Sequence, residues 1–75
     1  TKNFKILYAE DDLSIQHEMK EIFSMFFKEI FVANDGVEGL ELFNKHEDID
    51  LIISDIQMPN MNGLDMAKNI RKTSD

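Results

Sequence analysis

The 75-residue chain has no cysteine, which excludes disulfides, thiolate metal sites and thiol catalysis together and fits a reducing, cytoplasmic setting. It is also poor in basic residues, eight against fifteen acidic. The resulting net charge of −7 argues against direct nucleic-acid contact by this segment, since phosphate binding needs clustered Lys and Arg. Every apolar run falls far short of the roughly 20 residues that span a bilayer, so a transmembrane helix is excluded and no membrane partner is expected. The opening residues, Thr1-Lys2-Asn3-Phe4, lack the basic stretch followed by a long apolar one that marks a secretory signal. What is present is enough for one small globular domain and no more. The chain is 43% hydrophobic and carries six Phe and one Tyr, but at this length only about 60–65% of the unfolded surface can be buried.

Hydrophobic patterning divides the chain into alternating elements. Phe4-Lys5-Ile6-Leu7-Tyr8-Ala9 reads as a buried strand over 4–9 that stops at three acids, Glu10-Asp11-Asp12. Ile15, Met19, Ile22, Phe23 and Phe26 then recur at helical spacing, predicting a helix over 13–27 with Asp12 or Ser14 as its N-cap. A strand over 30–33 ends in Asn34-Asp35-Gly36. Asp35 and Glu38, three residues apart, resemble a capping box and open a helix over 36–46. The third strand, 50–54, delivers Asp55 into a loop broken by Pro59, Asn60, Asn62 and Gly63. Asn62 and Asp65 open a last helix over 63–72, and Lys72–Asp75 are expected to fray.

The order βαβαβα with near-continuously apolar strands implies a parallel sheet covered on both faces and joined by right-handed crossovers. With the first strand central, the order is 2-1-3, and the third strand becomes an edge with unpaired backbone groups and uncovered side chains. Such a domain reads as incomplete, calling for further strand-helix units or for a second copy against that edge.

In open parallel sheets, ligands bind at the carboxyl ends of the strands where the winding reverses. Glu10, Asp11 and Asp55 follow the two strands that flank that crevice. Carboxylates crowded in a partly desolvated cleft repel, so either one keeps its proton or a cation sits among them. An all-oxygen set selects a hard ion such as Mg²⁺, which accepts one or two carboxylates with waters and phosphate oxygens completing an octahedron. Asp55 is the candidate nucleophile toward phosphorus, with a backbone carbonyl of Gln57 placed to join the same ion. Against this stands a plainer possibility, that acids after a strand cap the next helix, the role assigned to Asp12.

Three segments carry a resemblance: Ile6-Leu7-Tyr8-Ala9-Glu10-Asp11-Asp12, Asn34-Asp35-Gly36, and Asp55-Ile56-Gln57-Met58-Pro59-Asn60-Met61-Asn62-Gly63. Together the chain resembles the receiver domain of bacterial two-component response regulators. The resemblance implies a flavodoxin-like parallel α/β sheet, here truncated to βαβαβα and lacking the last two strand-helix units. It further implies phosphorylation of Asp55, with Mg²⁺, by a histidine kinase or phosphotransfer protein. Asp11 and Asp55 would be metal ligands, Asp11 directly, with Glu10 a ligand through water and Gln57 the carbonyl ligand. On this reading the chain is a signalling module, not an enzyme acting on an external substrate. The Ser/Thr that follows the family's fourth strand and the Lys that follows its fifth have no counterpart here, so weak Mg²⁺ binding and poor phosphorylation are expected.

Two other classes compete. One is an interaction module pairing through the third strand as a homodimer, without phosphate. The other is a phosphatase with an aspartyl nucleophile, in which a second Asp usually stands two residues after the first, where this chain has Gln57. Of the remaining residues, Met58, Met61 and Met66 are expected to fill the core or the loop. Pro59 should set the loop's entry, and Gly63 should allow close packing. His17 and His46 are expected to be solvated, and Ser14, Ile15 and Glu18 form a candidate kinase-docking face.

Overall fold

The structure, a computed structural model, describes residues 2–73. Its elements run β1 (Lys2–Ala9), α1 (Leu13–Ser24), β2 (Phe27–Ala33), α2 (Gly36–Lys45), β3 (Leu51–Ser54) and α3 (Gly63–Thr73). The three strands form one parallel sheet in the order β2-β1-β3, as the patterning implied. Ala9 pairs with Ala33 on one side and with Ser54 on the other, so the carboxyl ends of all three strands finish level.

Side chains alternate across β1 because successive Cβ atoms point to opposite faces of a pleated strand. Leu7 and Ala9 face α2 and α3, where they build the main core with Ala33, Met66 and Ile70, flanked by Phe31, Leu40, Phe43 and Ile52. Tyr8 faces α1 and meets the edge of the Phe23 ring, centroids 5.2 Å apart and planes at 82°, a favoured aromatic geometry. Met66 is 1% exposed, a core residue as expected, and Met58 and Met61 pack against the same cluster.

α1 is three residues shorter than expected, ending at Ser24. Its final turn tightens, with Phe26 N–H donating to the Phe23 carbonyl and Met25 N–H to that of Ile22. Phe27 leaves the helix to pair with Lys2 at the start of β1, and its ring stacks on Phe4 at 6.5 Å. Strand pairing and aromatic contact outweigh a helical periodicity that nothing local interrupts, there being neither Gly nor Pro in this stretch. For the same reason β2 begins at Phe27 instead of Ile30, and β1 extends back to Lys2. The remaining boundaries shift by one residue: α2 ends at Lys45, β3 starts at Leu51 and α3 reaches Thr73. Lys72 is helical, while Ser74 and Asp75 lie outside the described residues.

The amphipathic stripe of α1 is only half covered. None of its residues is buried, and Ile15 and Ile22 are each nearly half exposed. Among the described residues, β3 has a neighbour on one side only. Beside it lies a groove of about 340 Å³ lined by Ile52, Gly63, Met66, Ala67 and Ile70. At the opposite rim, Lys5 Nζ sits 2.7 Å from Asp48, and the Lys5 N–H donates to Asp50, fastening the turn into β3 onto β1.

His17 is exposed, as expected, with Glu21 at 3.7 Å one turn along α1, whereas His46 departs from expectation. His46 is half-buried and stacks on Phe31 at 4.1 Å, because the chain leaving α2 turns back over β2.

Candidate functional site

The three acids singled out from sequence meet at the level end of the sheet. Glu10 follows β1, Asp11 stands next to it, and Asp55 follows β3, held by donation of its N–H to the Ala9 carbonyl at 3.0 Å. One carboxylate oxygen from each of the three lies within 4.8 Å of the others. Glu10 is 8% exposed, whereas Asp11 and Asp55 are open to solvent.

Two of the three carboxylates are oriented by backbone donors. Glu10 Oε2 accepts the Asp12 N–H at 3.1 Å, and Asp55 Oδ1 accepts the Ile56 N–H at 2.8 Å. Asp55 Oδ2 accepts no hydrogen bond from the described residues and is available for chemistry. Asp12 turns away as the N-cap of α1, accepting from Ile15 N–H, which is the structural role expected of it. Gln57 is exposed in the irregular segment two residues past Asp55.

The electrostatics follow from this crowding. Two unit charges about 5 Å apart repel by roughly 1 kcal/mol in water and by a few kcal/mol at a partly desolvated surface. Tyr8 registers the field: burial first, then the charges of Glu10 and Asp55, push its hydroxyl pKa above the ordinary value of 10.0. Hard, anionic oxygen donors suit Mg²⁺, whose bonds of about 2.1 Å place opposed ligands some 4.2 Å apart. Oxygens that all lie within 4.8 Å of one another suit an ion of this size, with waters completing its coordination.

Amide side chains lace the loops that carry these acids, a feature not read from the sequence. Gln16 of α1 donates from Nε2 to the Glu10 carbonyl at 2.7 Å and to Asn34 Oδ1 at 2.9 Å, joining the ends of β1 and β2. Asp35 caps α2 by accepting Glu38 N–H at 2.8 Å. The Glu38 carboxylate in turn accepts the N–H of Asn34, one residue earlier than in a standard capping box. Asp35 also accepts from Asn60 Nδ2 at 2.6 Å, and these two donors hold its carboxyl below the ordinary aspartate range, the Glu38 amide contributing most. The only sequence hint of this lacing is the presence of Asn in the loops, Asn34 in one and Asn60 and Asn62 in the other. Asn62 does what was expected of it, capping α3 by accepting Asp65 N–H at 2.8 Å.

Two glycines are required by close approach. A Cβ on Gly36 would fall on the Met61 carbonyl, which accepts the Gly36 N–H at 2.9 Å; a Cβ on Gly63 would fall on the Asp55 carbonyl. Gly63 thus permits the close packing expected at the start of α3.

Comparison with known proteins assigns the family. The model of the response regulator receiver domain matches residues 6–75. The chain belongs to the receiver domain family of response regulators. Transcriptional regulatory protein CpxR of Escherichia coli K12 is 38% identical over 69 residues, covering 92% of this chain and 29% of CpxR. Among solved structures, the N-terminal domain of an uncharacterized Wolinella succinogenes protein is 40% identical with a TM-score of 0.89, covering 96% of this chain and 57% of that one. Response regulator TrrA of Thermotoga maritima, solved in complex with Mg²⁺ and BeF, is 35% identical with a TM-score of 0.83, covering 95% and 61%. The receiver chain thus spans under a third of its curated relative and about three-fifths of the solved structures. Its sheet is the flavodoxin-like one expected, in the order 2-1-3. Among the described residues, no helix is long and apolar enough to cross a membrane.

Proposed function

We propose that this receiver segment is the phosphoacceptor of a two-component phosphorelay, with Asp55 as the residue that takes the phosphoryl group. The observation that carries the reading is the convergence of Glu10, Asp11 and Asp55 oxygens within 4.8 Å at the carboxyl ends of adjacent strands. Family membership and a relative solved with Mg²⁺ and BeF support it.

In this reading Asp55 Oδ2 attacks the phosphorus of a phosphohistidine presented by a histidine kinase or phosphotransfer protein. An O–P bond forms, the P–N bond breaks, and the departing imidazole nitrogen recovers a proton from water. The product is a mixed anhydride on Asp55. Ile56 N–H, bonded to Oδ1, keeps the carboxylate from rotating its free oxygen away. Asp11 and Asp55 would hold Mg²⁺ directly, Glu10 through water, and Gln57 through its backbone carbonyl. When bound, the ion offsets charge on the transferring group. The protein is the substrate of this transfer and turns over no external molecule.

For the 75-residue chain by itself, the open side of β3 and the groove beside it favour self-association as a homodimer, and the setting we propose is cytoplasmic. Phosphorylation of the chain alone should be slow, because no Ser/Thr or Lys in it corresponds to the pair that contacts the phosphoryl group elsewhere in the family.

Labelling with a small acyl phosphate in the presence of Mg²⁺, followed by peptide mapping, tests the assignment. The expected result is a hydroxylamine-labile phosphoryl group on Asp55, lost in Asp55→Asn and strongly reduced in Asp11→Asn. Equal labelling of Asp55→Asn would refute it, and rates matching those of longer receivers would refute the expectation of slow transfer.

A further inference from the structure

The segment from Asp55 to Gly63 is fastened by hydrogen bonds at two places. At the first, Asp55 N–H bonds to Ala9 and Gly63 N–H bonds to the Ile56 carbonyl at 2.8 Å. The second lies across the crevice, at the start of α2. There Asn60 Nδ2 donates to Asp35 at 2.6 Å and Gly36 N–H donates to the neighbouring Met61 carbonyl at 2.9 Å. Gln57 and Met58, between the two anchors, make no backbone hydrogen bond with the described residues. Met58 packs against the core cluster, so the exposed Gln57 takes its placement from that contact and from the two anchors.

The second anchor has a conformational cost that points to Asn. Asn60 has φ of 69°, and it is the one non-glycine residue with positive φ among those described. Asn and Gly adopt this region most readily, but only Asn brings an amide to use there. A loop needing nothing but the turn would be served as well by Gly.

We infer that Asn60 is a positioning residue for the loop that follows Asp55, its amide locking the loop to Asp35 and so fixing the backbone of Gln57, the carbonyl ligand of the proposed Mg²⁺ site. This rests on the reading of Glu10, Asp11 and Asp55 as a Mg²⁺ site. The role is indirect: Asn60 acts through the backbone of residues 57–59 and donates to Asp35, a cap residue outside the acidic cluster.

The test uses Asn60→Gly, which keeps the backbone conformation and the charge while deleting the amide. Asp35→Ser keeps an N-cap for α2 but falls short of Asn60. Mg²⁺ affinity of the 75-residue chain is read by titration followed through NMR of the Asp55 and Ile56 amides, alongside thermal midpoints and hydrogen exchange at Gly36. Asn60→Gly should weaken Mg²⁺ binding about fivefold, the worth of one ordinary hydrogen bond. Its midpoint should move little, because the better turn residue offsets the lost bond, and Gly36 N–H should exchange faster. Asp35→Ser should weaken binding in the wild-type background and clearly less in the Asn60→Gly background, since the shared bond can be lost only once. Unchanged affinity in Asn60→Gly, or full additivity of the two substitutions, overturns the inference while leaving the site intact. Wild-type chain that binds Mg²⁺ no better than Asp55→Asn overturns both the site and the role of Asn60.

Discussion

Tyr8 offers the most direct measure of the field at the acidic cluster. It is the single tyrosine in a chain without tryptophan, so tyrosinate absorbance reports on it alone. Its pKa is raised by burial and then by the charges of Glu10 and Asp55, so the neutral hydroxyl is the favoured form in the folded state. The sign follows: this group's contribution to stability is complete below about pH 10 and is lost as pH rises through the elevated folded value. Asp55→Asn should lower the Tyr8 midpoint while leaving the burial component, and added Mg²⁺ should lower it in the wild type. A midpoint indifferent to both would mean that the hydroxyl does not sense the cluster. Glu10, Asp11 and Asp55 were legible as a group because the apolar runs end abruptly at them. Gln16, Asn34 and Asn60 were not. An amide side chain has no periodic signature, and its partners lie 6, 18 and 25 residues away along the chain.

At the scale of elements, the strands, the helices and their order follow from hydrophobic patterning, and each expected cap is where composition placed it. The Asp12 carboxylate satisfies an otherwise unpaired amide of α1. Asp12→Ala should therefore cost about 1 kcal/mol in thermal or denaturant unfolding, with no more effect on Mg²⁺ affinity than its removed charge explains. A loss of metal binding as large as that in Asp11→Asn would instead make Asp12 a ligand. The end of α1 was misjudged because the stretch Met25-Phe26-Phe27 suits helix and strand alike, and the decision is made by partners remote in sequence, Lys2 and Phe4. His46 was misjudged for the same kind of reason. Its surroundings depend on the path taken after α2, which a polar segment of sequence does not encode.

For the whole molecule, the main core is small. Five buried residues, Leu7, Ala9, Ala33, Met66 and Ile70, form its centre, and domains of this size are marginal in stability. Met66, fully enclosed between α2, α3 and the sheet, is the residue whose truncation the fold can least absorb. Met66→Ala should cost about 2–5 kcal/mol, enough to leave much of the chain unfolded at room temperature by circular dichroism. A well-folded variant would show that the core is stabilised from elsewhere, as by a second copy closing over the groove beside β3, and sedimentation of the wild-type chain would then give twice the monomer mass.

The two rims of the sheet do different work. The acids and the loops that hold them all leave from the rim where β1, β2 and β3 finish level, whereas the turn at Glu47 and Asp48 hangs from the other, separated by the length of β3, roughly 13 Å for four residues. That distal turn is the natural handle on this molecule, a place where a fluorophore or a tether can be attached without crowding phosphate or metal.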